Sequence, residues 1–123
     1  MKKVINSKLA PEAVGPYSQA IQVDNLVFVS GCLPIDENNE IPEGIKAQTN
    51  QSLLNIKHIL NEVSLDMSNI VKTTVLLKNM DDFSLMNEVY ASFFETDYPA
   101  RMCYQVVKLP KDVLVEIDCI ASK

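Results

Sequence analysis

Glycine is scarce in this 123-residue chain: three residues, at 15, 31 and 44. No run is left from which a phosphate-cradling loop could be built. There is one histidine, His58, and cysteine occurs only at 32, 103 and 119, with no Cys-x-x-Cys pair. Metal-ligand spacing is therefore absent. An odd number of scattered cysteines also points to a reduced, cytoplasmic setting rather than a disulfide framework. Positive charge is in the minority: 11 Lys and Arg against 16 Asp and Glu give a net charge of -5. That balance opposes nucleic-acid binding, which draws on Lys and Arg to neutralise phosphates. No apolar run approaches the ~20 residues of a membrane span. Met1-Lys2-Lys3 is basic, but Val4-Ile5 gives way to Asn6, Ser7 and Lys8, so no signal peptide is expected.

What is present is ordinary globular usage, 47% hydrophobic and 22% charged. Without repeat, linker or low-complexity tract, residues 1–123 read as one domain. Residues 2–6 can add a short first strand. Segments 17–22 and 26–30 read as two strands about the Asp24-Asn25 turn, with Gly31 ending the second. A loop is expected over 32–43. Ile45, Thr49, Leu53, Ile56, Leu60 and Val63 form one apolar stripe, which predicts a helix over 45–63. A β-branched run predicts a strand over 70–77. A second helix is expected over 82–95, capped by Asp81, with Phe83, Met86, Tyr90, Phe93 and Phe94 on its buried face. Strands at 100–107 and 114–121 complete the list. The pattern predicts an α+β sandwich: a mixed β-sheet with two helices on one face. The other face of so small a sheet needs cover, commonly from an oligomer.

The last two strands carry charge among apolar residues. Alternation puts Arg101, Cys103, Gln105 and Val107 on one face of the first, and Leu114, Glu116, Asp118 and Ile120 on one face of the second. If the two form a hairpin turning near Leu109-Pro110, Cys103 faces Glu116 and Arg101 faces Asp118. Arg101, Cys103 and Glu116 then share a patch, subject to register. Such a patch is read in two ways. One is a cross-strand salt bridge on a wet face, of small energetic value. The other is an anion site, with the arginine fork on a carboxylate and Glu116 orienting or deprotonating a water. His58 lies in the first helix, away from Cys103, so a Cys–His nucleophilic pair is not expected.

At these residues the chain resembles the Rid (reactive intermediate deaminase) family, of the RidA type, over essentially its full length. The resemblance rests on APEAVGPYSQAI at 10–21, LVFVSGCLPID at 26–36, IVKTTVLLKNMDDFSLMNEVYASFF at 70–94 and PARMCYQVVKLPKDVLVEIDCIA at 99–121. It implies a chorismate-mutase-like sandwich, assembled as a homotrimer around a central barrel with intersubunit active sites. It implies hydrolysis of 2-imino acids, such as 2-iminobutyrate and 2-iminopropanoate, to 2-keto acids and ammonia, without a cofactor. These imines are products of pyridoxal-phosphate dehydratases.

On this resemblance Arg101 binds the substrate carboxylate and Glu116 activates water. Cys103 lines the pocket, Tyr17 donates a phenol hydrogen bond near the imine, and Ser30 and Gly31 approach from a neighbouring subunit. Asn87 is a lesser candidate. Cys32, Met102 and Tyr104 depart from the family pattern, where Gln, Ser and Val are common. The last two belong to the strand face opposite Arg101 and should affect packing more than chemistry. Two rival functions remain open: a non-catalytic binder of small carboxylates using the same cleft, and, less favoured by the acidic charge, ribonuclease activity.

Overall fold

The apolar stripe read over 45–63 becomes helix α1, Ile45–Asn61, in a computed structural model that describes residues 1–123. Leu53, Ile56, Ile59 and Leu60 are its fully buried apolar side chains. Each contributes roughly 1.5–3 kcal/mol through burial, which is what holds a helix of this length in place. The second helix, α2, spans Phe83–Ser92 and is shorter than expected. A 3₁₀ turn at Met80–Asp82 precedes it, and the cap differs from expectation: Asn79 Oδ1 accepts from the Asp81 amide at 2.9 Å. Asp82 holds the N-cap position of α2 with helical backbone angles, so its side chain makes no capping bond.

Six strands form one sheet: β1 (Lys3–Ile5), β2 (Ala20–Val23), β3 (Leu26–Cys32), β4 (Ile70–Leu77), β5 (Ala100–Gln105) and β6 (Val115–Ser122). Their spatial order is β1-β2-β3-β6-β4-β5. The Asp24-Asn25 turn closes β2 on β3, with Asp24 at φ 52, as the turn signal predicted. β2 begins three residues later than expected, just after Gln19, whose carbonyl still accepts from the Ser30 amide of β3 at 2.9 Å. The Gln19 side chain accepts from the Ser7 amide at 2.7 Å and donates to the Pro11 carbonyl at 2.8 Å, tying down the 7–11 loop. Gly31 does not end β3. The strand runs on to Cys32 through a register shift between Val29 and Cys32, a usual place for glycine.

The expected β5–β6 hairpin does not form. β6 pairs antiparallel with both β3 and β4, and β5 pairs parallel with β4 on the sheet's edge. The physical reason is the helix between β4 and β5: a strand–helix–strand run returns its second strand parallel to the first. The segment 106–114, too long for a tight turn, then carries the chain past β4 into the gap beside β3.

Both helices cover one face. Val27 and Val29 of β3, Val75 and Leu77 of β4, and Val115, Ile117, Cys119 and Ala121 of β6 point into the core with them. The other face is open. It carries Ile21, Phe28, Ile120, Leu76, Met102 and Tyr104, interrupted by Lys72, Thr74, Glu116 and Asp118. Met102 is 52% and Tyr104 46% exposed there, an apolar surface that one chain leaves uncovered.

Candidate functional site

Strand pairing fixes which face each charged residue takes. Arg101 pairs with Thr73 and Cys103 with Val75, so both belong to the helix-covered face. Glu116 pairs with Leu76 and Asp118 with Thr74, so both belong to the open face. Arg101 and Glu116 therefore do not share a patch within one chain, and Arg101 does not oppose Asp118. The cross-strand salt bridge is absent too: the chain's two ion pairs are Lys46–Glu88 at 2.9 Å and Lys78–Asp112 at 2.6 Å.

The candidate residues thus fall into two groups, the halves of a candidate site. In the first, Arg101 projects from edge strand β5 under α2. Its Nη1 donates to Asn87 Oδ1 at 2.7 Å. Its guanidinium carbon lies 4.8 Å from the centroid of the Tyr90 ring and 5.5 Å from that of Phe83. Asn87, Tyr90, Ala91, Tyr98, Pro99 and Arg101 line a cavity of about 350 Å³. A half-buried guanidinium with one side-chain acceptor and no carboxylate keeps most of its five donors for something else. Cys103 sits two residues along the same face. Burial pushes its thiol pKa up, against the opposing pull of Arg101, so its thiolate is disfavoured.

The second half lies on the open face. Glu116 and Asp118, with Gly31, Thr74 and Leu76, surround a pocket of about 160 Å³. Burial, and then the neighbouring Asp118 carboxylate, raise the Glu116 pKa above the ordinary value. Asp118 is held by the Thr74 amide, which donates to its Oδ1 at 3.0 Å. Gly31 is required by close approach: a Cβ there would fall on Glu116 Oε1 and stand 3.0 Å from the carboxyl carbon. Around Gly31 the wall continues through Tyr17, Ser30, Cys32 and Lys111, lining a neighbouring cavity of about 70 Å³. Tyr17 is exposed in the loop before β2, and Ser30 Oγ donates to the Ser18 carbonyl at 2.6 Å, which anchors that loop. Cys32 turns inward, and burial, with Glu116 and Asp118 nearby, pushes its thiol up to about 12.

The seven candidate residues accordingly divide: Arg101, Cys103 and Asn87 in one half, Tyr17, Ser30, Gly31 and Glu116 in the other. Lys111 was not foreseen. Its backbone is left-handed at φ 56, as is that of Asp112, and nothing in Leu109-Pro110-Lys111-Asp112 advertises this. No cluster of three or more His, Cys, Asp or Glu is placed to hold a metal ion.

A mixed sheet backed by two helices, with its polar groups gathered around small pockets, marks an α+β protein built to take a small ligand. The chain belongs to the family described as endoribonuclease L-PSP, the YjgF/Rid family, whose model matches residues 7–123. It is 50% identical over 125 residues to a RutC family protein of Pyrococcus horikoshii, covering 100% of this chain and 99% of that one. It is 44% identical to the 2-iminobutanoate/2-iminopropanoate deaminase of Mus musculus, covering 98% of this chain and 91% of the relative. The crystal structure of E. coli TdcF with bound serine superposes with a TM-score of 0.95 at 41% identity, covering 98% of each chain. The α+β architecture and family expected from the sequence are thus both found.

Proposed function

We propose that this protein is an imine hydrolase that converts 2-imino acids to 2-keto acids and ammonia, in clefts between the subunits of a cytoplasmic homotrimer of single-domain chains. The observation that carries the reading is Arg101: a fixed guanidinium at a cavity wall with no carboxylate partner. Such a fork suits the carboxylate of a small substrate. Assembly supplies what one chain lacks. Arg101 lies on the sheet's edge strand, so a second copy laid by that edge against the open face brings its own Arg101 half toward the Glu116 half of the first. It also covers Phe28, Met102 and Tyr104.

The chemistry then needs few groups. Arg101 holds the substrate carboxylate beside the imine carbon. Glu116 accepts a proton from water as the water oxygen bonds to that carbon, giving a tetrahedral carbinolamine. That proton passes to the former imine nitrogen; the carbinolamine hydroxyl then gives up its own proton, relayed by Glu116 to the amine, the C=O bond forms as the C–N bond breaks, and ammonia and the keto acid leave. A carboxylate whose pKa is raised by burial is a better base for this than an ordinary one. Tyr17 and Ser30 supply hydroxyls at the wall, and Gly31 supplies room. The mouse relative's name and the amino acid held by E. coli TdcF support a small amino-acid-like substrate.

Imine clearance tests this. A threonine dehydratase generates 2-iminobutyrate in situ, and semicarbazide traps what survives. Wild-type protein suppresses semicarbazone formation, whereas an Arg101→Ala variant does not. Failure of the wild type across several imino acids overturns the reading in favour of a carboxylate binder. The family's description keeps RNA cleavage as a rival. Measurable RNA binding at low salt, weakening as salt rises, would support that rival. The net charge of -5 opposes it.

A further inference from the structure

Sequence reading assigned Phe83 and Tyr90 to the core, and nothing assigned a role to Thr73. The structure places all three around one guanidinium. Phe83, Asn87 and Tyr90 lie at i, i+4 and i+7 of α2, a single stripe facing β5. Asn87 takes one guanidinium donor at 2.7 Å, and the two rings lie at 4.8 and 5.5 Å from its carbon. Tyr90 is in turn fixed from behind: its hydroxyl is 2.8 Å from Thr73 Oγ1, a buried bond between residues 4% and 0% exposed. Thr73 is itself the β4 residue paired with Arg101. The contacts close a ring, from Thr73 through the sheet to Arg101, across the stack to Tyr90, and back through the two hydroxyls.

A stack alone leaves a guanidinium free to turn in the plane of the ring, and a tyrosine ring unanchored at its tip can tilt. The Thr73 hydroxyl removes the tilt. We propose that Thr73 and Tyr90 are positioning residues for Arg101, holding its fork at one angle so that a small carboxylate meets two parallel donors rather than a diffuse positive charge. Thr73 is fully buried and Tyr90 lines the Arg101 cavity, and the role proposed for both is exerted through Arg101. The proposal rests on the carboxylate-binding role given to Arg101 above, but not on imine hydrolysis itself.

Arg101 is the chain's only arginine, so its side-chain ¹⁵N signals are assigned by default. In the wild-type protein rotation about the Cζ–Nε bond is slow, and in Tyr90→Phe and Thr73→Val it quickens by about fivefold, the worth of one buried hydrogen bond. The dissociation constant for 2-oxobutanoate, the expected product, rises by about three- to tenfold in both variants. In an Arg101→Lys background Tyr90→Phe adds nothing further, because a point charge has no fork to orient.

Thr73→Ser separates positioning from packing. Serine keeps the hydroxyl and loses a methyl; valine keeps the shape and loses the hydroxyl. Positioning ranks Ser above Val in 2-oxobutanoate affinity, whatever their melting temperatures. The opposite ranking, unchanged Arg101 rotation in Tyr90→Phe, or an equal loss of affinity in the Arg101→Lys background each overturns the proposal. Because these readouts are a rotation rate and a binding constant, they stand or fall separately from imine turnover.

Discussion

The two halves of the candidate site hold opposite charges by opposite means. Arg101 is aimed by π-faces and one amide oxygen, with no counter-charge beside it. Glu116 is pressed between burial and a second carboxylate, both of which work against its charge. On the function proposed, one half receives a negative group, and the other, a carboxylate whose surroundings raise its pKa, takes a proton. The contrast teaches why they are kept on separate faces of one sheet. Paired side by side in one chain they would form a salt bridge on folding; on separate faces, they meet only through the proposed assembly, with room left for a substrate between them.

The largest effect expected from breaking this contrast is at Arg101. Arg101→Ala should lower imine clearance on the order of 100-fold or more, with keto-acid affinity lost in parallel, checked by semicarbazide trapping and calorimetry. Next comes Glu116→Gln, which should cost about 100-fold or more in turnover while keto-acid binding is kept or improved. The same variant tests the electrostatics. A folded-state pKa raised above the unfolded value means that Glu116 favours folding while protonated and loses that contribution as pH rises through its folded pKa. Glu116→Gln should therefore melt higher than wild type near neutral pH. The advantage should vanish below about pH 4, where unfolded glutamate is protonated as well. Thermal melts across pH decide this, and an unchanged difference from acid to neutral would refute it.

Gly31→Ala ranks third. Its methyl group displaces the Glu116 carboxylate. We expect roughly a tenfold loss of turnover at a stability cost of about 1 kcal/mol, with Arg101-dependent keto-acid affinity less affected. The smallest effect is at Cys103. With its thiol pushed up by burial and the chain's one histidine remote from it in sequence, Cys103→Ser should keep turnover within about threefold. A loss of 100-fold there would make the thiol a participant and sink this account of the chemistry.

Much of this architecture was legible in advance. The stripe from Ile45 to Val63 and the β-branched run from Ile70 to Leu77 have unmistakable periods, and the Asp24-Asn25 turn sits where its dipeptide signals. The pairing of the last two strands was not, because adjacency in sequence suggested a hairpin. The correcting signal was present in the strand–helix–strand order of 70–105, which calls for a parallel return. The error mattered, since it brought Arg101 and Glu116 onto one face. The choice of candidate residues rested on residue type and family resemblance, and their roles belong to the proposal rather than to the fold. The place of Tyr90 was masked for another reason: a once-per-turn periodicity reads any aromatic as core, and only the fold reveals that a guanidinium lies over its ring.

The position of β6 has a further consequence, for how the molecule comes into being. β1, β2 and β3 form one section of the sheet and β4 and β5 another, and β6 is the sole strand joining them. It is also the strand that follows all the others in the chain. Until β6 is in place the first five strands can form only two unsealed pieces, each showing a bare hydrogen-bonding edge. The carboxylate of Glu116 arrives with the strand that seals them. The chain acquires its proposed base and its continuous sheet in the same event, so a nascent protein cannot hold one without the other.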